Sequence, residues 1–125
     1  MLRLARLADG YVHGGGPPRS FASAVTRVRA AWEDTARPGR PQLWAQAYFA
    51  LGDPQAGDTY LRDYYAFTGA FAERIVAGNL TSPSAITDYI RGYEEAGCEE
   101  LILLPGVADL DEVDRLMEVV AGVKR

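Results

Sequence analysis

The sequence predicts an α/β fold in which parallel strands alternate with helices, and three observations lead to this prediction. The run Leu101-Ile102-Leu103-Leu104 is apolar without alternation, which is typical of a strand covered on both faces. A helical pattern from Ser82 to Gly97 directly precedes it. Two further strand-like segments are separated from it, and from each other, by helical stretches. Strands separated by helices pair in parallel through right-handed crossovers.

The helix before this strand has a marked start and a marked stop. Ser82 is a good capping residue, and Pro83 occupies the first helical position, where its missing N–H costs nothing. Gly97 is suited to the left-handed conformation that ends a helix. Its buried stripe is predicted to comprise Ile86, Ile90, Tyr93 and Ala96 or Gly97.

The first half of the chain predicts two helices around a short strand. Met1 to Ala8 is helical but has no capping residue, as though the chain began within a helix. Tyr11 to His13 is a strand, followed by a glycine- and proline-rich loop. Pro18 to Ala36 is an amphipathic helix. Its apolar positions are spaced four, three, four and three residues apart: Phe21, Val25, Val28, Trp32 and Thr35.

The second strand is predicted over Leu43 to Leu51, where small residues alternate with large ones. One face of this strand should therefore pack closely against other elements. Ala56 to Asn79 is helical, with a break near Gly69, and the second of the two helices runs to about Ala77. A last helix opens with an Asp109–Glu112 capping box and ends near Gly122. Its inward stripe is predicted to be Leu110, Val113, Leu116, Met117 and Val120.

Composition predicts one globular domain over residues 1–125, with 48% apolar and 24% charged residues. A net charge of −4 without a basic cluster argues against nucleic acid as a partner. No apolar run approaches the length that spans a membrane, and the first residues lack a signal-peptide core. The single cysteine, Cys98, excludes an internal disulfide and favours a reducing cytoplasm. We interpret it as a small buried hydrophobe in preference to a reactive thiol.

Three long segments carry a resemblance to a known family. They are LARLADGYVHGGGPPRSFASAVTRVRAAW, the aromatic pieces YFALG and YLRDYYAFTG, and TSPSAITDYIRGYEEAGCEELILLPGVADLDEVDRLMEVV. An alanine-rich helix running into Ala-Asp-Gly and a strand, and a helix after Thr and Pro that ends at Ala-Gly, are features of that family. In this order the segments resemble the C-terminal part of luciferase-like monooxygenases, the flavin- or deazaflavin-dependent oxidoreductases related to bacterial luciferase.

The resemblance implies a partial (β/α)8 TIM barrel, with helices outside and these strands as the last three of eight. A whole barrel of this kind is about twice this length or more. The chain would then be a truncated member or one half of a split gene. The implied cofactor is FMN or a deazaflavin, and the implied substrate is a small organic molecule. Most of the family's flavin-binding residues lie in earlier strands, so none of those roles can be transferred to this chain.

Functional groups of such barrels lie where strands end, which selects His13 and the glycines after it. His13, the only histidine, is the candidate for proton transfer or for a hydrogen bond to a flavin or substrate; the alternative is an ordinary histidine at the rim. The backbone of Gly14, Gly15 and Gly16, with Arg19, is a candidate anion or cofactor site. The alternative is a flexible connection.

Gln46 and Tyr48 are candidates for a substrate pocket, and aromatic core packing is the alternative. Tyr60, Tyr64, Tyr65 and Phe67 lie at helical spacing, which favours core or a subunit contact over a cofactor site. The glutamates near positions 94 to 100 indicate a solvated surface, and no metal site is predicted.

Three functions compete at this stage. The chain is a truncated luciferase-like oxidoreductase that contributes barrel strands and part of a flavin and substrate pocket. Alternatively it is a noncatalytic fragment that forms a homo-oligomer or complements a partner supplying the missing barrel half, because three strands leave two sheet edges unpaired. A small flavodoxin-like binding module is the third hypothesis, and it requires more strands than the sequence predicts.

Overall fold

A computed structural model describes residues 2–123, so the predicted helix start at Met1 lies outside the described residues. The predicted order of helices and strands is confirmed. The elements are α1 (Leu2–Leu7), β1 (Gly10–His13), α2 (Pro18–Asp34), β2 (Gln42–Phe49), α3 (Pro54–Tyr64), a 3-10 turn (Ala66–Thr68), α4 (Phe71–Ala77), α5 (Pro83–Glu95), β3 (Glu100–Pro105) and α6 (Asp111–Val123). None of these helices is both long and apolar enough to cross a bilayer.

The three strands form one parallel sheet in the order β1-β2-β3, which confirms the predicted parallel α/β fold. The central strand β2 pairs with β1 from Gln42 to Ala45 and with β3 from Trp44 to Phe49. Ser82 caps α5 by accepting a hydrogen bond from the Ala85 N–H at 3.1 Å. Gly97 ends that helix region with a φ of 95°.

The two faces of the sheet have different surroundings, because side chains alternate along β2. Leu43, Ala45, Ala47 and Phe49 lie in the core against the helices. The core residues supplied by α2 and α5 are Phe21, Val25, Val28, Ile86, Tyr89 and Tyr93.

The opposite side of the sheet, which we call the open face, carries Val12, Trp44, Gln46, Tyr48, Ile102 and Leu104. Trp44, Gln46 and Tyr48 are partly exposed, and Val12 is 53% exposed. The prediction that β3 is covered on both faces is wrong for the described residues. Leu101 and Leu103 pack on the core, whereas Ile102 and Leu104 lie on the open face.

The predicted inward stripe of α6 is wrong for three of its five residues, whereas Leu116 packs on the core as predicted and Val120 is partly buried. Leu110 is 88% exposed and Met117 is 61% exposed, and Val113 is also exposed. Val119, which lies outside the predicted stripe, contacts the core together with Leu116, on the same side of the helix as the fully buried Glu112. The helix is rotated because the Glu112 carboxylate binds backbone donors at the end of β2.

The predicted Asp109–Glu112 capping box is also wrong. The box requires the Glu112 side chain to reach back to the Asp109 N–H. Instead that side chain binds Leu51 and Gly52. Asp109 alone serves the helix start, where its Oδ1 accepts from the Asp111 N–H at 3.0 Å.

The contact between α5 and α2 depends on the absence of a side chain at Gly92. A Cβ at this position would lie 2.5 Å from Cγ of Pro18, whose ring is stiff. We expect Gly92→Ala to lower the free energy of unfolding by about 1–3 kcal/mol through overpacking, although alanine is the better helix former. Urea denaturation measures the change.

Gly122→Ala is the matched control, since Gly122 also lies in a helix but a Cβ at that position would have no atom within 4 Å. This variant should be neutral or more stable by up to about 1 kcal/mol. Equal effects of the two substitutions would contradict the close α2–α5 packing.

Candidate functional site

The carboxyl ends of the three strands meet at one edge of the sheet, because the strands are parallel. Hydrogen bonds between backbone groups join the segments that leave this edge. The Gly106 N–H donates to Phe49 O at 2.8 Å, and the Leu80 N–H donates to Tyr48 O at 3.0 Å. The Ala50 N–H in turn donates to Leu80 O at 2.9 Å. The chain segments after β2, after α4 and after β3 are therefore fixed next to one another.

Glu112 holds the end of β2 through its carboxylate. The Gly52 N–H donates to Oε1 at 2.7 Å and the Leu51 N–H donates to Oε2 at 3.1 Å. The side chain is fully buried, and Nη1 of Arg115 lies 3.7 Å from Oε1. A buried carboxylate that accepts two N–H bonds is stabilised by charge-assisted hydrogen bonding. Glu112 therefore fixes the backbone of Leu51 and Gly52, which directly follows β2.

Tyr48 and Tyr65 form a hydroxyl pair at this edge, with their oxygens 2.8 Å apart. Tyr48 lies at the carboxyl end of β2 on the open face, opposite Leu104 in the sheet register. Tyr65 follows α3 directly, and the two rings meet edge to face with centroids 6.0 Å apart. Burial, followed by the hydrogen bond to Tyr65, raises the pKa of Tyr48 far above its usual range. Both effects favour the protonated form of this hydroxyl.

An aromatic patch continues from this pair, and we define it as Tyr60, Tyr64, Tyr65 and Phe67. The Tyr60 and Tyr64 rings are stacked at 5.8 Å, and Tyr64 meets Tyr65 edge to face at 4.9 Å. Tyr64 is 57% exposed and Phe67 is 82% exposed. This exposure excludes the core alternative for these two residues, so a contact surface or ligand site remains.

The glycine loop lies beside the end of β2 on its other side. A Cβ on Gly15 would come 3.5 Å from Gln46 O, whereas Gly14 and Gly16 have no atom within 4 Å of that position. Gly15 and Gly16 have φ values of 117° and 91°, which glycine adopts without strain. The Tyr93 hydroxyl donates to Gly16 O at 2.6 Å and thereby ties the loop to α5. The structure thus brings Gly15 and Gln46 together, and Arg19 lies exposed in the first turn of α2.

His13 lies on the face of the sheet that the helices cover. It is the register partner of Ala45, a core residue, and its ring packs edge-on against Phe21 at 5.6 Å. Nδ1 is hydrogen bonded to the Tyr11 hydroxyl at 2.8 Å, and the buried Nε2 has no hydrogen-bond partner among the described residues. Burial lowers the pKa of His13 below 6.5. The polar backbone of Gly15 opposes this shift, and the positive charge of Arg27 lowers the pKa further. The sheet separates His13 from Gln46 and Tyr48.

Cys98 is partly buried and packs against the core, and its thiol donates to Glu100 O at 3.2 Å. Burial raises the pKa of this thiol. These contacts are those of a packed small side chain. Within residues 2–123, no group of three or more histidine, cysteine, aspartate or glutamate side chains is arranged to hold a metal ion.

Sequence reasoning missed two residues of this edge, Tyr65 as the partner of Tyr48 and Glu112 as the anchor of β2. Glu112 does carry a usable signal. It lies four residues before Leu116 and seven before Val119, so a carboxylate occupies a position of the buried stripe. A buried carboxylate requires donors, which predicts a contact with free N–H groups at a neighbouring strand end.

Solved structures share this fold. The chain superimposes on an F420-dependent secondary alcohol dehydrogenase, solved with an F420–acetone adduct, with a TM-score of 0.73 and 12% identity over 98% of this chain and 45% of the dehydrogenase. It superimposes on the coenzyme F420-dependent tetrahydromethanopterin reductase from Methanopyrus kandleri with a TM-score of 0.56 and 13% identity, over 95% of this chain and 45% of the reductase. The likeness shows the fold. This chain spans less than half the length of either enzyme.

No family model and no curated protein matches the sequence of this chain. The structural likeness confirms an α/β arrangement of parallel strands found in part of larger oxidoreductases. Which strands of a barrel these are remains a prediction, as does a single domain over residues 1–125.

Replacing the Glu112 carboxylate tests its role as the anchor of β2. Glu112→Gln keeps the volume but turns one acceptor into an amide donor that faces a backbone N–H. We expect the free energy of unfolding to fall by about 1.5–3 kcal/mol, the range for a hydrogen bond to a charged group. Urea denaturation measures the loss, and amide NMR signals of Leu51 and Gly52 should shift.

Glu118→Gln is the control, because Glu118 is exposed on the same helix. Its substitution should change stability by less than about 0.5 kcal/mol. Similar losses for the two variants, or unmoved amide signals in Glu112→Gln, would contradict the anchoring role.

Proposed function

We propose that this chain is part of a luciferase-like, deazaflavin-dependent oxidoreductase and contributes the carboxyl-terminal strands of its barrel. The TM-score of 0.73 over 98% of the chain against an F420-dependent enzyme is the observation that carries this proposal. The sequence resemblance supports it independently. Both neighbours named here are F420-dependent, so a deazaflavin is favoured over FMN.

The residues of the carboxyl edge fit one wall of such a site. Gly14 and Gly16 leave open space beside their backbone, and the exposed Arg19 supplies a positive charge within one turn of the loop. We assign these residues to an anionic part of the cofactor. Gln46 and Tyr48 lie on the open face and are assigned to the substrate side.

His13 is assigned to a positioning role. It is neutral, lies across the sheet from Tyr48, and packs beneath the glycine loop with Tyr11 and Phe21. A deazaflavin, when bound, supplies hydride transfer. The side chains described here would bind and orient the reactants, and further walls from the remainder of a barrel would be needed to exclude water.

Cofactor titration tests this proposal. We expect F420 to bind the isolated chain weakly but saturably, with FMN weaker, and Arg19→Gln to reduce F420 affinity about 2–5-fold, as for an exposed ion pair. Isothermal titration calorimetry measures both. The control is Arg40→Gln, since Arg40 is exposed in the loop before β2, at the opposite edge of the sheet. Absence of F420 binding, or equal losses in the two variants, would refute the proposal.

A second function, association with a copy of itself or with a complementary chain, is favoured by the open face. Val12 is exposed there, and within residues 2–123 β1 and β3 each pair with β2 alone. Apolar area is stabilised by burial at roughly 25 cal/mol per Å². Covering this face and the free strand edges would therefore drive association. The two functions are compatible, because an associated partner could provide the missing walls.

Sedimentation velocity tests the association. We expect the wild-type chain to form a dimer or larger species as concentration rises, and Val12→Asp to shift it towards monomer by at least about 10-fold in dissociation constant, since a buried carboxylate is costly. Ala30→Asp, on the exposed side of α2, should leave association unchanged. A wild-type chain that stays monomeric at high concentration would refute this second function.

A further inference from the structure

The Tyr48–Tyr65 pair has hydrogen-bonding capacity that the described contacts do not use. One hydroxyl must donate to the other across the 2.8 Å contact, so the second O–H retains its proton for another acceptor. Burial raises the pKa of Tyr48, which disfavours loss of its proton. The pair is therefore a neutral donor, suited to a carbonyl or hydroxyl oxygen.

The aromatic patch provides ring surfaces next to this donor. Tyr65 belongs to both the pair and the patch, and the centroid of Tyr64 is 4.9 Å from that of Tyr65. Tyr64 and Phe67 present most of their surface to solvent. Exposed rings that adjoin a donor favour a ligand with a flat apolar body and one polar oxygen.

The charges around the patch disfavour an anionic ligand. Arg62 of α3 is already paired with Glu73 of α4 at 2.8 Å. Asp58 and Asp63 lie on the same helix as Tyr60 and Tyr64. A carboxylate or phosphate ligand would meet repulsion from these two aspartates, and the guanidinium of Arg62 is already paired.

We infer that the Tyr48–Tyr65 pair and the aromatic patch form a binding site for a neutral aromatic ketone or alcohol, whose oxygen accepts a hydrogen bond from the pair while its ring packs on Tyr64. That such a molecule is the substrate rests on the proposed function. Its binding does not, because the site consists of residues of this chain alone.

The test is an NMR titration of ¹³C-tyrosine-labelled protein, without cofactor, at a concentration at which sedimentation shows one species. The probes are acetophenone, ethylbenzene, which lacks the oxygen, and benzoate, which carries a charge. We expect acetophenone to shift the ring signals of Tyr48, Tyr64 and Tyr65, and to bind about 5-fold more tightly than ethylbenzene, the effect of one net hydrogen bond. Benzoate should bind more weakly than acetophenone.

The double variant Tyr48→Phe/Tyr65→Phe removes both hydroxyls of the pair while keeping the rings, whereas either single substitution would leave one O–H able to donate to the ligand. It should weaken acetophenone about 5-fold and leave ethylbenzene unchanged, because only the ketone loses a hydrogen bond. Tyr60→Phe is the control, since its ring lies in the patch but its hydroxyl lies outside the pair; both probes should bind within about 2-fold of wild type.

Three results would overturn the inference: no tyrosine shifts with acetophenone, benzoate binding as tightly as acetophenone, or equal losses of ketone and hydrocarbon in Tyr48→Phe/Tyr65→Phe. Acetophenone binding as expected by a chain that binds no F420 would support the inference and refute the proposed function. The two proposals can thus fail separately.

Discussion

The alternation of side chains along β2 is the constraint on which the rest of the fold depends. Ala45 and Ala47 are small, so the α2 and α5 layer can approach the centre of the sheet. Trp44, Gln46 and Tyr48 then necessarily lie on the other face, because successive strand residues point in opposite directions. Since β2 pairs with a parallel strand on each side, it also brings all three carboxyl ends to one edge.

Backbone hydrogen bonds and the buried carboxylate of Glu112 hold the carboxyl edge of the sheet together, and the position of Glu112 determines which face of α6 is buried. Glu112 must face Leu51 and Gly52, because an unpartnered buried carboxylate would cost several kcal/mol. That requirement outweighs burial of the more apolar stripe and leaves Leu110, Val113 and Met117 in solvent. An exposed apolar stripe on a helix that a carboxylate has oriented is an available contact surface. The two hydrogen bonds to Glu112 therefore stabilise the end of β2 and at the same time leave Leu110, Val113 and Met117 exposed.

The sequence predicts the elements of this fold and the parallel pairing of its strands, but it does not predict which face of α6 is buried or which distant side chains meet. Periodicity, caps and glycine stops are local, so the order of elements and the end of α5 could be predicted from neighbouring residues. The orientation of α6 depends on Glu112 meeting donors 61 and 60 residues away. The face of His13 depends on its register with Ala45, which no local pattern fixes. Tyr65 as partner of Tyr48 depends on the path of the chain through α3.

The hydroxyl pair suited to recognising a ligand and the histidine suited to proton transfer lie on opposite sides of the sheet. At the open face, the hydroxyl of Tyr48 is hydrogen bonded to that of Tyr65, and burial raises the pKa of Tyr48, so the pair can orient an oxygen by donating a hydrogen bond to it. His13, the one histidine, is neutral on the covered face, where the sheet lies between it and that oxygen. His13 and the Tyr48–Tyr65 pair therefore cannot act on the same reacting atom without a rearrangement of β1. In the oxidoreductase that we propose, the described residues would therefore bind and orient the reactants, and the reactivity would come from a bound cofactor.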